Sequence, residues 1–299
     1  GAGDGCGDRN MRKIALVACS NGLEVRKKGS VEELCAYLEG LGFTPCVSPC
    51  LYEKDPVFCS VFSGTAEERA EALMSFYRDP EVQAILDLSG GDLANELLPY
   101  LDYEVIGKSQ AEFWGYSDLT TILNAIYAKT GRSSVLYQAR NLVSDGGRIR
   151  RPAFENTILQ KQSDLFQISC QYVQKGQKQE LSEFCGTLVG GNIRCLLKLA
   201  GTEYWPDMQD KILLLESWSG GVPKMVTYFS QLRQLGVFRQ IKALLLGTFT
   251  EMEDRGCSPT IEELACRYAG SELPILKTRQ IGHGKDALAV HVGDLFHFF

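Results

Sequence analysis

The sequence predicts an α/β protein, with an N-terminal parallel-sheet βαβ domain followed by a second α/β domain. Three observations carry this. Short apolar runs of strand length alternate with segments of three- and four-residue periodicity, the pattern of βαβ units. Glycine- and serine-containing junctions follow several of the apolar runs, where a strand would give way to a helix. The length of 299 residues suits about two domains. We expect an N-terminal α/β domain over residues 11–140, a crossover region over 141–185 and a C-terminal domain over 186–299.

Taken in order, Ile14 to Cys19 is a compact apolar strand that ends in the turn Ser20-Asn21-Gly22. Ser30-Val31-Glu32-Glu33 has capping-box spacing and should open an amphipathic helix through Leu41. Phe43 to Val47 is the next strand. Thr65-Ala66-Glu67-Glu68 repeats the box and starts a helix through Tyr77. Val82 to Leu88 is a third strand, meeting Ser89-Gly90-Gly91-Asp92, and a helix follows over Leu93 to Leu98. From Asn141 to Ser182 the pattern loosens and its strands cannot be placed. Gly190-Gly191-Asn192 leads a helix through Leu199, and Lys211 to Glu216 is a strand ending on a carboxylate. A helix from Pro223 to Leu235 and a strand from Ala243 to Leu246 come next. Ser258-Pro259-Thr260-Ile261 starts another helix, with proline in its first turn. Gly282-His283-Gly284 and a short strand around Ala287 to Val292 close the chain.

Composition narrows the function. An apolar content of 44% and a charged content of 23% are those of an ordinary globular protein. The net charge of −6 excludes a general nucleic-acid binder, and the basic run Arg148-Ile149-Arg150-Arg151 is short. It reads as a solvated loop, with a carboxylate-binding role open. No stretch approaches the roughly 20 apolar residues of a membrane-spanning helix. Eleven cysteines form no Cys-x-x-Cys pair, and with three histidines they offer little to a metal, so neither metal nor cofactor is expected. Cys19, Cys35, Cys195 and Cys266 read as small buried hydrophobes, which suits a reducing cytoplasm. Gly1 to Asn10 reads as an expression leader ahead of a natural start at Met11. The apolar core Ile14 to Ala18 is shorter than the roughly 7–15 residues of a secretory signal.

The chemistry centres on Phe113-Trp114-Gly115-Tyr116-Ser117-Asp118-Leu119-Thr120-Thr121. An apolar segment runs into a glycine and a serine, and Leu119, Leu123, Ile126 and Tyr127 then recur at helical spacing. A serine on a sharp strand-to-helix turn holds its hydroxyl clear of the sheet. The first free N–H groups of the helix then point at the same spot, ready for an oxyanion. The alternative is a serine N-cap and nothing more. Leu119 stands where a Gly-x-Ser-x-Gly motif has its last glycine. A nucleophilic serine needs a base, and the base needs an orienting acid. His291 alternates with apolar residues in a strand, and His297 lies in a Phe-rich terminus; both read as structural. His283 sits between two glycines in a loop from which a ring can reach across a cleft. Glu216 ends an apolar strand. Each also has a plain reading, as a loop histidine and a strand-end glutamate.

Gly115-Tyr116-Ser117-Asp118-Leu119-Thr120 and Asn124-Ala125-Ile126-Tyr127-Ala128-Lys129-Thr130-Gly131 together resemble the LD-carboxypeptidase family of serine peptidases. That family includes the microcin C self-immunity peptidases. Gly90-Gly91, Leu97 to Tyr103, Gly190-Gly191-Asn192, Gly201 to Asp207, Lys211 to Glu216 and Gly282-His283-Gly284 match in the same order. The resemblance covers most of the chain from Met11 to Gly293. It implies a triad with Ser117 as nucleophile, His283 as general base and Glu216 orienting the imidazole. It implies an oxyanion hole from the N–H groups of Gly91 and Asp118, an active site between the two domains, and a homodimer. Two positions depart from the family pattern. Ser217 follows the glutamate where an acid is usual, and Asp92 follows the diglycine where an aromatic is common. Residues 145–183 are expected to hold substrate-contacting loops.

The implied activity is a cytoplasmic carboxypeptidase that releases a terminal D-amino acid from murein peptides. Its substrate carboxylate calls for an arginine, with Arg140, Arg148 and Arg194 as candidates. A second reading keeps the triad but takes a peptidyl- or aminoacyl-adenylate analogue, with Trp205 or Trp218 stacking on the base. A third is a non-catalytic ligand-binding protein of the same fold. The substrate contacts expected first are Arg194 and Trp218.

Overall fold

A computed structural model of the protein describes residues 12–54, 60–176 and 185–297. The segment read as a leader, with Met11, lies outside the described residues.

The first half builds five strands: β1 Lys13–Val17, β2 Thr44–Val47, β3 Val82–Asp87, β4 Glu112–Gly115 and β5 Ser134–Leu136. The second half adds β6 Gln171–Gln174, β7 Cys185–Asn192, β8 Ile212–Ser217, β9 Ala243–Phe249, β10 Ile275–Lys277, β11 Val290–Val292 and β12 Leu295–His297. They form two six-stranded sheets, in the orders β11-β5-β4-β3-β1-β2 and β12-β7-β8-β9-β10-β6. The inner strands of both are parallel, and the antiparallel pairings are β11 on β5, β12 on β7 and β6 on β10. Inner strands such as β8 are covered on both faces, so Ile212 to Leu215 are all fully buried. The α/β architecture read from the alternating pattern is thus the one observed.

Among β1 to β5 the spatial order is 2-1-3-4-5, so the direction of winding reverses between β1 and β3. Ligand sites in such sheets form at the carboxyl ends beside the reversal. The turns after β1, β3 and β4, which carry Asn21, Gly91 and Ser117, all open at that end.

Several local expectations are corrected. The first helix spans Lys28–Gly40 and follows a short 3-10 turn, so Ser30 lies inside it and donates to Lys27 O at 3.0 Å instead of capping. Thr65 does form its capping box, on the helix Ala66–Arg78. The segment expected as a helix over Leu93 to Leu98 is a 3-10 helix, Ala94–Tyr100, with Pro99 inside it. Pro99 has no N–H with which to extend an α-helical ladder. Pro259 lies outside its helix, because Thr260 is the N-cap and Ile261 the first helical residue. The crossover holds the helix Arg151–Gln160 and the edge strand β6.

The largest omission is β7. Gly190-Gly191, expected only as the lead-in to a helix, lies inside this strand, at φ +103° and +139°. A Cβ on Gly191 would sit 2.7 Å from Thr120 Oγ1, and one on Gly190 2.2 Å from Leu214 O. The glycines are there to bring another backbone close. At the end of the chain, β11 joins the first sheet and β12 the second, so this short segment stitches the two together.

Candidate active site

Ser117 stands between β4 and the helix Thr120–Thr130, on a short 3-10 turn, Ser117–Leu119. Its φ of +57° is in the left-handed region, uncommon for a residue with a side chain and typical of strained functional positions. The hydroxyl makes no capping hydrogen bond, so the plain N-cap reading does not hold. The turn is tight because Gly115 has no Cβ, which would lie 2.7 Å from Leu119 Cβ. Leu119, fully buried, fills the space that a glycine leaves open in the Gly-x-Ser-x-Gly pattern.

Across the cleft, Glu216 lies near the end of β8 and is fully buried. Its Oε2 is 2.8 Å from Nδ1 of His283, and its Oε1 accepts from Asn192 Nδ2 at 3.2 Å. A buried carboxylate is costly unless it is hydrogen-bonded, and both oxygens here have partners. Two glycines allow the histidine loop to lie against β9. A Cβ on Gly282 would meet Thr248 Oγ1 at 1.6 Å, and one on Gly247 would meet Ile281 O at 2.7 Å. The imidazole, 18% exposed, is held between two aromatic rings. Tyr116 meets it edge-on at 5.0 Å, and Trp218 lies nearly parallel to it at 5.8 Å. Burial, and then the charge of Glu216, push the Tyr116 hydroxyl well above its usual pKa. That hydroxyl is close enough to feel the carboxylate, but it makes no hydrogen bond to it.

Ser117, His283, Gly91, Arg194 and Trp218 line one cleft of about 340 Å³. Among the described residues no hydrogen bond joins Ser117 to the imidazole. The N–H groups of Gly91 and Asp118 likewise donate to no other group of the described chain. Gly91 holds φ +122° above Asn21, whose side chain a Cβ would meet at 2.3 Å.

The Asp118 carboxylate does work that the sequence did not reveal. Fully buried, it accepts from Ser20 Oγ at 2.7 Å, Ala94 N at 2.9 Å and Lys198 Nζ at 2.5 Å. One side chain therefore ties the turn after β1, the segment after the diglycine and the second domain to the serine turn. The helix Thr120–Thr130 is fixed in the same way. Asn124 pairs with both the N–H and the C=O of Gly190, at 2.9 and 3.0 Å, and Thr120 Oγ1 accepts from Asn192 N at 3.0 Å. Asn192 in turn caps the helix Ile193–Leu197 through Cys195 N, while its amide holds Glu216. A continuous set of buried hydrogen bonds thus runs from the serine helix to the glutamate. Asn192 was detectable as an N-cap; Asn124 and Lys198 act across the fold, with no local signal.

Arg194 donates to Asp92 Oδ1 at 2.9 Å and to Gly91 O at 3.1 Å, so it braces the diglycine loop. Trp218 is 63% exposed at the cleft mouth, whereas Trp205 packs between the two cores. Arg148 is paired with Glu33 and lies away from the cleft. Arg150 and Arg151 donate to the carbonyls of Asp286 and Leu142, so the basic cluster pins loops. No described residue between 145 and 176 lines the cleft, contrary to the expectation of substrate-contacting loops there. Residues 177–183 lie outside the described residues. Among the described residues there is no cluster of potential metal ligands, and Cys19 and Cys195 are buried thiols whose pKa burial raises.

Comparison with known proteins adds the following. The LD-carboxypeptidase N-terminal domain matches residues 14–137, and the LD-carboxypeptidase C-terminal domain matches residues 185–297. A Vibrio cholerae relative, named provisionally as a carboxypeptidase, is 29% identical over 80% of this chain and 78% of its own. The murein tetrapeptide carboxypeptidase of Pseudomonas aeruginosa is 27% identical over 74% of each chain. Among solved structures, the microcin C7 self-immunity protein MccF in complex with glutamyl sulfamoyl guanosine superposes with a TM-score of 0.80. That match covers 96% of this chain and 92% of the other at 22% identity, a likeness of fold.

Proposed function

The chain belongs to the LD-carboxypeptidase family, and on that premise we propose that it is a serine carboxypeptidase releasing a terminal D-amino acid from murein peptides. The observation that carries the proposal is the buried Glu216, bonded to His283 at 2.8 Å in the wall of the cleft that Ser117 enters from a left-handed turn.

The chemistry follows from those positions. With Nδ1–H donating to Glu216, Nε2 is the free base. Ser117 Oγ attacks the carbonyl of the L,D bond while Nε2 takes its proton, and the carbonyl oxygen becomes an oxyanion. In this reading the uncommitted N–H groups of Gly91 and Asp118 stabilise that oxygen. Collapse of the intermediate breaks the C–N bond, and the imidazolium gives its proton to the departing amine of the D-residue. Water then attacks the acyl-serine through the same base and frees Ser117. The nine unpaired cysteines among the described residues support a reducing, cytoplasmic setting for this activity.

A second reading is favoured by one observation, the exposed Trp218 at the cleft mouth, which offers an aromatic face to a nucleobase. The substrate would then be a peptidyl- or aminoacyl-nucleotide analogue, cleaved by the same serine. Purified protein assayed side by side on an L,D murein tetrapeptide and an aminoacyl-sulfamoyl adenosine decides between them. Release of D-alanine from the first alone is the expected result. Cleavage of the second alone would overturn the murein assignment.

A further inference from the structure

Apart from His283, three cationic side chains line the cleft: Arg140, Arg194 and Lys285. Arg194 is already engaged with Asp92 and the Gly91 carbonyl. Arg140 is not. It lies on the 3-10 helix Ala139–Val143 that follows β5, and its Nε is buried without a hydrogen-bond partner. Among the described residues, none accepts a bond from its guanidinium and no carboxylate pairs with it. Asp87 is the acidic group that acts on it electrically, but both oxygens of that carboxylate are taken, by Cys19 N, Ser89 N and Ser89 Oγ at 2.6–2.8 Å. Asp92, in the same cleft, is paired with Arg194, and Glu24, near Lys27, with Arg26. Lys27 is held below the usual lysine range first by burial, then by Arg140, with Lys285 adding to the effect. A half-buried guanidinium with no counter-ion and cationic neighbours is an expensive arrangement, and an incoming anion would relieve it.

We propose that Arg140, assisted by Lys285, binds the free carboxylate of the residue that the enzyme releases. This rests on the carboxypeptidase reading above and adds the group that makes the enzyme an exopeptidase. A guanidinium fork matches a carboxylate with two parallel hydrogen bonds, which a point charge such as lysine does not. The diglycine loop and Arg140 line the same cleft, so a substrate with its carbonyl at Gly91 would extend its leaving side toward the arginine. Lys285 follows His283 by two residues, which places its ammonium charge at the exposed rim of the same pocket.

The test compares an L,D murein tetrapeptide with its C-terminal amide, using wild-type protein and Arg140→Gln. The wild type should prefer the acid, and in Arg140→Gln the acid-to-amide ratio of kcat/KM should fall about a hundredfold. Retention of the wild-type ratio in Arg140→Gln overturns the inference and leaves the carboxypeptidase reading intact. Wild-type protein that acts on neither peptide, but cleaves an aminoacyl-sulfamoyl adenosine, overturns both. If Arg140→Gln does not fold, judged by its melting transition, Lys285→Gln on the exposed rim carries the test. Its ratio should fall several-fold, and an unchanged ratio contradicts the proposal.

Discussion

Among the described residues there are two histidine–glutamate pairs, the histidine of each at the edge of a hollow. His283 lines the cleft of about 340 Å³, with Glu216 buried behind it; His291 and Glu112 line a larger hollow, of about 1100 Å³, elsewhere on the molecule. In the first pair the carboxylate is fully buried, 2.8 Å from Nδ1, and fixed on its other oxygen by Asn192. In the second the glutamate side chain is 35% exposed and 4.0 Å from the ring, too far for a hydrogen bond. The Nδ1 of His291 has no partner, and its ring is stacked on Phe166 at 4.1 Å. Among the described residues, no serine on a left-handed turn faces it. On the proposed reading, volume does not mark the functional hollow. Orientation does, because a base helps catalysis only when one nitrogen is tied and the other faces a nucleophile.

Substitutions that treat the two pairs alike should have very unlike results. Ser117→Ala and His283→Ala should each lower kcat/KM by about 10⁴-fold with little change in melting temperature, since triad members act as a unit. His291→Ala should leave turnover within about twofold, and steady-state kinetics on one peptide substrate measures all three. Glu216→Gln should cost about 10³-fold, because the carboxylate orients the imidazole and takes no proton from it. Glu112→Gln should cost nothing measurable in the same assay. Asn192→Ala removes one hydrogen bond from Glu216 and one helix cap. We expect about a tenfold loss of kcat, with about 1 kcal/mol of stability lost in a denaturant titration. Asn124→Ala breaks both bonds to Gly190 and leaves that buried peptide group unpaired. It should lower stability by about 2–3 kcal/mol, or roughly 3–5 °C in melting temperature for a chain of this size. Its effect on activity should be the smallest of the variants at the seam between the sheets.

The same contrast explains what the sequence could reveal. Strands such as β3 and β8 and the Thr65 box were readable because their signals are local, an apolar run or a cap three residues from its partner. Ser117 and His283 stood out because unusual backbone positions draw on glycine, here Gly115 and Gly282. Strand β7 escaped because Gly190 and Gly191 have turn chemistry but serve close approach to the helix of Ser117. The Asp118–Lys198 pair, the Asn124–Gly190 pairing and the isolation of Arg140 are facts of three dimensions, joining residues tens of positions apart. No periodicity could show them. The family resemblance supplied the triad roles proposed above; the buried, doubly bonded Glu216 beside His283 favours that histidine over His291 for the base.

The most direct measurement is peptide-mapping mass spectrometry after reaction with a fluorophosphonate, which bonds to an activated serine oxygen and expels fluoride. The account predicts a single adduct, on Ser117, that disappears in His283→Ala and persists in His291→Ala. An adduct on another serine, or labelling of Ser117 that does not depend on His283, would contradict it.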